Sequence, residues 1–334
     1  GSTVGGVAFP GFNGGDINAA NTLATWNIND GSSRTLTTSK TVNSLRMAPG
    51  AAQTLTLGTA TAPVTLTLGV GLITNAPQAI AITAGNVASA LTASGSDLYV
   101  FVNQNTTSLN TRITGNTSLV KGGGATLTLN PSAVISSTTN GTTTVTVGST
   151  AGMVAGMSVT GTGITGPATI SSITNGTQFV LSQTVASGTN NFTYGLSNTY
   201  TGGTFVNQGT LNLNGQAGSI VIPGNLTINN ATVTMNANAG QIAASSNVTL
   251  NGGATLSLGN YAGATTTLNS LTFNNTGGNT QPRVLFNTPT VLSTLVLTAA
   301  NAITVVNDNF GTTPMIVGAT NQANSALQFS NADP

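Results

Sequence analysis

Thr54-Leu-Thr-Leu57 and Val64-Thr-Leu-Thr-Leu68 indicate the fold most clearly, and each stretch is followed directly by a glycine. Apolar and hydroxyl side chains alternate in both, and a period of two places the leucines on one face of a β-strand and the threonines on the other. We therefore expect many short strands separated by tight turns. The same pattern returns in Thr126-Leu-Thr-Leu129, Thr210-Leu-Asn-Leu213, Asn225-Leu-Thr-Ile228, Val248-Thr-Leu250, Thr255-Leu-Ser-Leu258, Leu271-Thr-Phe273 and Thr294-Leu-Val-Leu297.

The spacing of these strands, roughly 8–25 residues, suits a stacked parallel β-solenoid in which each turn of chain is one rung. It also suits a series of β-sandwiches. The abundance of Gly and Asn favours the solenoid, because rung corners need positive φ angles that these residues adopt at low cost. Stacked Asn or Thr side chains can form ladders along the axis of such a fold. Since the spacing varies, the sequence predicts an all-β chain with an irregular parallel β-solenoid.

The composition excludes several classes of function. Of 334 residues only six are Lys or Arg and five are Asp, and the chain has neither His nor Cys, which removes the usual zinc ligands and thiol nucleophiles. A net charge of +1 gives no basic surface for nucleic acid. No run of 18 apolar residues is present, so we expect no membrane span. We also expect no catalytic residue, no cofactor and no metal.

Residues 131–195 differ from the rest of the chain and are expected to form a compact β module. The Asn175-Gly176 pair stands between two β-rich runs, and such a pair is the strongest short hairpin signal. About five strands are predicted in this stretch, at 142–147, 156–159, 168–173, 178–181 and 192–194.

The two segments that flank this module resemble a known family. Leu119-Val-Lys-Gly-Gly-Gly-Ala-Thr-Leu-Thr-Leu-Asn130 and Leu196-Ser-Asn-Thr-Tyr-Thr-Gly-Gly-Thr-Phe-Val-Asn-Gln-Gly-Thr-Leu-Asn-Leu213 are similar to the two halves of the autotransporter-associated β-strand repeat. In that family the halves follow each other directly, whereas residues 131–195 separate them here. The chain also carries one clear copy of the motif instead of many. The residues that match the turn of the family motif are Tyr200, Gly202, Gly203 and Gly209.

The resemblance covers about residues 75–260 and implies a right-handed parallel β-helix on a cell surface, with the module inserted at one corner. The module itself resembles a small β-barrel or sandwich found in many bacterial and phage surface proteins. We predict four parts: a Gly-rich arm at 1–15, a first part of the solenoid at 16–130, the module at 131–195 and a second part of the solenoid at 196–334.

The arm and the low charge suggest self-association. Val4, Val7, Phe9 and Phe12 are expected to anchor the arm, which could lie on its own solenoid or join a neighbouring subunit as a strand. No amphipathic capping helix is evident, and the low charge gives little repulsion between copies. Head-to-tail contacts that do not close propagate as a filament. The sequence therefore predicts a secreted structural protein, a self-assembling subunit of an extracellular filament or surface layer of a bacterium. Its main partner would be itself, with surface glycans or matrix proteins as further partners.

Two other functions stay open. The chain could be an adhesin whose solenoid is a stalk and whose module at 131–195 binds a host surface or glycan. It could also be a polysaccharide-active β-helix enzyme, which needs carboxylates that converge in a groove. The chain's carboxylates are far apart in sequence, and turn or end positions are their expected role: Asp16, Asp30, Asp97, Asp308 and Asp333.

Several single residues have two interpretations. Asp30-Gly31 and Asn307-Asp308-Asn309 could be calcium loops, although ordinary turns are expected. Lys40 or Lys121 could form an isopeptide bond with an Asn near an Asp, but the position of Lys121 in the family motif predicts a surface side chain. Trp26 and Tyr99 are expected to be core or cap aromatics. The Thr-x-Thr pairs at Thr54/Thr56, Thr65/Thr67 and Thr126/Thr128 resemble an ice-binding surface. Half-buried threonines on a strand are the expected interpretation.

Overall fold

A computed structural model describes residues 15–19, 24–236, 238–259, 265–275, 280–286, 292–306, 313–318 and 325–330, together with the backbone of 3–4 and 7–8. Two of the predicted arm anchors, Phe9 and Phe12, lie outside the described residues. The side chains of Val4 and Val7 also lie outside the described residues. The same is true of two of the five carboxylates, Asp308 and Asp333.

The described part of the chain is all-β, as predicted, and contains no helix. Accordingly, no described segment is a helix of the length and hydrophobicity needed to cross a membrane. The strands that precede residue 131 are β1 (Thr3–Val4), β2 (Val7–Ala8), β3 (Asn27–Asp30), β4 (Arg34–Leu36), β5 (Lys40–Met47), β6 (Gln53–Leu57), β7 (Thr65–Asn75), β8 (Ile80–Ala84), β9 (Ala90–Ala93), β10 (Asp97–Gln104), β11 (Thr107–Asn110), β12 (Arg112–Ile113), β13 (Ser118–Gly122) and β14 (Thr126–Leu129).

Most of these strands belong to two parallel sheets, here called the first and second ladders. In the first ladder β3, β5, β7, β10 and β13 pair in that order, and in the second β4, β6, β8, β11 and β14 do so. Pairing is parallel, and like residues face each other: Leu55 lies opposite Ile82, and Ile82 lies opposite Leu109. Directly opposed side chains share one face of a sheet. The alternation seen in the sequence therefore becomes a column of apolar residues.

The chain after residue 195 continues both ladders. The first ladder extends from β13 through β21, β23, β25, β28 and β31, and the second from β14 through β22, β24, β26, β29 and β32, while β27, β30 and β33 form a third ladder. The strands are β21 (Thr204–Val206), β22 (Thr210–Leu213), β23 (Leu226–Asn229), β24 (Thr232–Met235), β25 (Asn247–Asn251), β26 (Thr255–Ser257), β27 (Thr265–Leu268), β28 (Ser270–Asn274), β29 (Arg283–Leu285), β30 (Ser293–Leu297), β31 (Ile303–Val306), β32 (Met315–Val317) and β33 (Ser325–Phe329).

Burial follows the predicted alternation. In β6 the leucines are buried and the threonines are half-buried, and the same is true of β14. The buried apolar side chains of the ladders form one continuous cluster that extends from Ile17 to Ala302. The predicted amide ladders are confirmed in the later strands, where Asn229 donates to Asn207 (2.7 Å) and Asn251 donates to Asn229 (2.6 Å), each 22 residues away.

Residues 132–195 are built differently, from antiparallel strands. Each of the six strands pairs with two others of the set, so that together they form a closed sheet. The strand order around it is β15, β16, β19, β18, β17 and β20, and β15 also touches the second ladder where Ala133 lies opposite Ala84. The strands are β15 (Ser132–Thr139), β16 (Thr144–Val147), β17 (Ser158–Gly161), β18 (Ala168–Asn175), β19 (Gln178–Leu181) and β20 (Gly188–Gly195).

The closed sheet has its own apolar cluster, in which Phe179 and Tyr194 meet edge to face with ring centroids 5.9 Å apart. The hairpin predicted at Asn175-Gly176 is confirmed, although Asn175 pairs with Gln178 and the turn lies one residue later, at Gly176 and Thr177. Asn175 accepts the main-chain N–H of Thr177 at 2.9 Å, which fixes this turn. The strand at 132–139 was not among the predicted ones.

The two ends of the closed sheet lie side by side. The main-chain N–H of Leu196 donates to the carbonyl of Pro131 at 2.8 Å. The ladders pair across the interruption, since β13 lies against β21 and β14 against β22 in register. Residues 131–195 therefore leave the ladder and return to it at one point.

Candidate functional site

Tyr200 and Gly202, two residues of the motif turn, occupy positions that packing dictates. The side chain of Tyr200 is buried, and its hydroxyl lies 2.6 Å from Oγ1 of Thr204. Burial raises the pKa of Tyr200 far above its ordinary value. A Cβ on Gly202 would lie 2.6 Å from the carbonyl oxygen of Thr117, so the segments that precede β21 and β13 approach too closely for any other residue.

Gly203 and Gly209 complete the motif turn. A Cβ on Gly203 would lie 3.2 Å from the ring of Phe205. Gly209 has a φ of +69°, and a Cβ there would lie 2.6 Å from the carbonyl oxygen of Ala125. The four motif residues thus shape the turn.

Lys121 is fully buried, so the expectation of a surface side chain is wrong. Its Nζ donates to the main-chain carbonyls of Gly122 (3.1 Å), Gly123 (2.5 Å) and Gln208 (2.7 Å). Burial lowers the pKa of Lys121 to about 8. All three acceptors are main-chain oxygens, and no described carboxylate forms an ion pair with the amine. Lys121 joins the turn after β13 to the turn before β22, and so links segments 119–130 and 196–213.

The described carboxylates near the N-terminal end have structural partners. Asp30 is buried and accepts from the N–H of Ile17 (3.1 Å), the N–H of Ser32 (3.0 Å) and Nε of Arg34 (3.2 Å). Arg34 also lies 3.3 Å from Asp16. Among the described residues no group of three His, Cys, Asp or Glu side chains could hold a metal ion.

The C-terminal ends of the ladders expose side chains that would be core residues elsewhere. Val305 lies opposite the buried Phe273 and is 55% exposed. Leu327 and Phe329 lie opposite the buried Leu295 and Leu297, and are 38% and 50% exposed. The apolar column therefore reaches the last described strands and is uncovered there.

The N-terminal end of the ladders is covered. Ile28 and Leu36, on the first strands β3 and β4, are completely buried, and Ile17 packs in the same cluster. Gln53 donates to the carbonyls of Asp30 and Ser32 and so ties the turn between β3 and β4 to β6. Charged and amide side chains thus seal one end of the ladders, whereas the other end is apolar.

A patch of apolar side chains lies on the outer face of the first ladder. Val70, Ile73, Tyr99 and Phe101 are about half exposed and border a shallow groove of about 220 Å³. Trp26 packs partly against the core, as expected, but the expectation of a core or cap position for Tyr99 is wrong. The alternation in Asp97-Leu-Tyr-Val-Phe-Val-Asn103 already indicated an outward position for Tyr99. Leu98 is buried, and adjacent residues of a strand face opposite sides of the sheet.

A cleft of about 430 Å³ lies where the closed sheet meets the ladders. Its walls are the 152–158 turn of the closed sheet, residues 195–199 that return to the ladder, and the 217–219 turn. The charged residue at this cleft is Arg112, the first residue of β12. Arg112 was not predicted as a site residue. The signal in the sequence was the scarcity of cations, since the chain has only six Lys and Arg residues.

No family model matches the chain, and neither does any curated protein or solved structure.

Proposed function

We propose that this chain is a secreted structural protein, a self-assembling subunit of an extracellular filament or of a bacterial surface layer. In this proposal the ladders are the faces of an irregular right-handed β-solenoid, formed by residues 16–130 and 196–334. The module at 131–195 is a small β-barrel inserted at one corner, and the arm at 1–15 joins a neighbouring copy. The resemblance of 119–130 and 196–213 to the autotransporter-associated β-strand repeat supports this assignment.

The observation that carries the proposal is the uncovered apolar column at the C-terminal end of the ladders. Val305, Leu327 and Phe329 continue columns that are fully buried one strand earlier. Covering one such side chain is favourable by about 1.5–3 kcal/mol. Unpaired edges of parallel strands are also templates for strand addition. A second copy that extends these columns would cover both kinds of surface.

The low charge supports the same proposal. Much of the chain's small inventory of charge lies near the N-terminal end, in Asp16, Asp30, Arg34, Lys40 and Arg46, where Asp16 and Asp30 pair with Arg34. Two copies that approach end to end would therefore meet little repulsion.

Electron microscopy of the purified chain at low and high concentration tests the proposal. We expect filaments at high concentration, with an axial repeat that matches one subunit. A Val305→Lys/Leu327→Lys variant should assemble at least tenfold less readily. Each substitution replaces an apolar contact between copies with a charge, and a loss of about 1.4 kcal/mol already weakens association tenfold.

A matched control is available on the same strands. Thr304→Lys/Gln328→Lys adds the same two charges, one residue before Val305 and one residue after Leu327. Both positions are exposed and lie on the opposite face of their strands. This control should still assemble. Separate short rods at every concentration, or equal assembly of both double variants, would contradict the proposal.

The second candidate function is an adhesin that binds a glycan at the module, and the cleft between the closed sheet and the ladders favours it. Deletion of residues 131–195, with Asn130 joined to Leu196, separates the two candidates. The adjacent ends of the module make this deletion feasible, since Pro131 and Leu196 are already hydrogen-bonded. Loss of glycan binding with intact filaments would favour the adhesin, and loss of assembly would assign the module to the subunit interface.

A further inference from the structure

The cleft at Arg112 brings together features that a structural rod does not need. Its volume of about 430 Å³ falls in the range of small-ligand sites, roughly 300–1,000 Å³. One wall belongs to the closed sheet and the opposite wall to the ladders. A ligand in the cleft would therefore touch both regions of the molecule.

Arg112 is held in place by its neighbours on β12. The main-chain N–H of Ile113 donates to Oδ1 of the buried Asn198 at 2.8 Å, and the carbonyl of Ile113 accepts from Thr199 at 2.9 Å. Both partners lie in the segment that returns from the closed sheet. The backbone next to Arg112 is thus fixed by the junction itself, and the bond from Nη2 to the carbonyl of Ala88 orients the guanidinium.

The guanidinium is short of partners. Its Nη2 donates to the carbonyl of Ala88 at 3.0 Å, while Nε is buried without a hydrogen-bond partner. No described carboxylate forms an ion pair with it, in contrast to Arg34, which has two. Burial lowers the pKa of Arg112, but an arginine remains charged at every physiological pH. Nη1 has no hydrogen-bond partner among the described residues either and is not buried, so a donor is available to an anion in the cleft.

The remaining walls offer hydroxyl groups and apolar surface. Ser197 accepts the N–H of Ile220 at 3.0 Å, which leaves its own hydroxyl hydrogen free to donate, and Ser219 lines the same cleft. Val154 and Met157 supply apolar contact on the opposite wall. Among the described residues no carboxylate lines the cleft, so a negative group would meet no repulsion from them.

We propose that this cleft binds an acidic sugar, with the single negative group of the sugar on Arg112, its hydroxyls near the serines and its ring against Val154 and Met157. The negative group can be a carboxylate or a sulfate ester, since both accept paired hydrogen bonds from a guanidinium. The site goes beyond self-assembly and does not depend on it.

Calorimetric titration of the full chain with methyl glucuronide, glucose 6-sulfate and neutral methyl glucoside tests the site. We expect at least one acidic sugar to bind, and the neutral glycoside to bind at least tenfold more weakly. The preferred acidic sugar distinguishes a carboxylate from a sulfate. Arg112→Gln should weaken that binding at least tenfold, and Ala155→Trp, which fills the cleft from an exposed position of its wall, should do the same.

Arg283→Gln is the matched control, because it removes the same charge from an exposed position outside the cleft. It should bind as the parent chain does, and thermal melting should show that all three variants are folded. Three results would each overturn the proposal: no binding of either acidic sugar, equal binding of the neutral glycoside, or unchanged binding by Arg112→Gln together with Ala155→Trp.

Discussion

A chain with very few charges and few aromatics must still build a core. The ladders and the closed sheet do so in two different ways. In the ladders, parallel strands pair with strands 17–32 residues away, except across residues 131–195, and aliphatic residues stack in columns. In the closed sheet, antiparallel strands pair within 132–195 around a small cluster that includes Phe179, Phe192 and Tyr194.

This difference shows where each region derives its stability. Each ladder strand rests on two neighbours, so its contribution is local and repeats along the chain. The closed sheet has no neighbour of its own kind and depends on a few large side chains, as small domains do. Damage to one core position should therefore spread through the closed sheet but remain confined in the ladders.

Truncation of an aromatic residue in the closed sheet tests this comparison with the largest expected effect. Phe192→Ala should cost about 3–5 kcal/mol, because a fully buried ring is lost from a small cluster. Hydrogen exchange followed by mass spectrometry should show faster exchange throughout 132–195 and little change in the ladders.

Leu250→Ala is the matched ladder variant, since Leu250 is also fully buried. It should cost about 2–5 kcal/mol and accelerate exchange only in strands next to β25. Global acceleration in both variants would show that the two regions unfold as one unit.

Lys121→Met should be the next most damaging change. It removes the buried amine that donates to three main-chain carbonyls at the junction, at a cost of about 3 kcal/mol. Lys40→Met is the control, because the half-buried Lys40 gives one hydrogen bond, to the carbonyl of Ala19. A melting temperature that falls equally in both variants would refute a special role for the buried amine.

The pH dependence of stability follows from the same lysine. Its pKa is lowered to about 8 in the folded chain, whereas an unfolded lysine has a pKa of about 10.4. Between these values the unfolded chain binds more protons, so stability should rise with pH, by at most about 3 kcal/mol. Above about pH 10 the trend should reverse, because burial raises the pKa of Tyr194 to about 12 and only the unfolded tyrosine then ionises.

Urea unfolding at a series of pH values would show this maximum near pH 10. In Lys121→Met the rise from pH 8 should be absent and the fall above pH 10 should remain. A parent chain whose stability is flat from pH 8 to pH 10 would contradict the lowered pKa.

Two buried tyrosines give the finest comparison, with one in each region. The Tyr200 hydroxyl bonds to Thr204 in the ladders (2.6 Å), and the Tyr194 hydroxyl bonds to Ser137 in the closed sheet (2.8 Å). Tyr200→Phe and Tyr194→Phe should each cost about 1–2 kcal/mol, because a buried hydroxyl loses its partner. Exchange should quicken around the motif turn in the first variant and across 132–195 in the second. Faster exchange across 132–195 in Tyr200→Phe, or around the motif turn in Tyr194→Phe, would contradict the comparison.

Much of the strand pattern was predictable. Alternation in stretches such as Thr54-Leu-Thr-Leu57 reports directly which face is buried, and the structure confirms it. The strand at 132–139 was missed because Ser132-Ala-Val-Ile-Ser-Ser-Thr-Thr139 places small polar residues at inward positions. Ser137 and Thr139 are buried there because their hydroxyls bond to Tyr194 and to the carbonyl of Ala186. Such partners lie about 50 residues away, beyond any local pattern.

The candidate sites were less predictable. Tyr99 faces solvent by simple alternation, so the aromatic patch could have been found from the strand alone. The cleft at Arg112 could not, because its walls come from segments around residues 155, 197 and 218. The uncovered columns at Val305 and Leu327 also required the pairing of strands to be known.

The sequence by itself determined the all-β class, the buried face of most strands, the scarcity of charge and the separate character of residues 131–195. These properties depend on composition and on neighbours one or two residues apart. Only the tertiary structure decided which strands pair, that Lys121 is buried, that one end of the ladders is sealed by charged and amide side chains while the other is apolar, and that Arg112 lies in a cleft. These depend on register between strands 17 or more residues apart, and a shift of a single residue would turn every side chain to the other face.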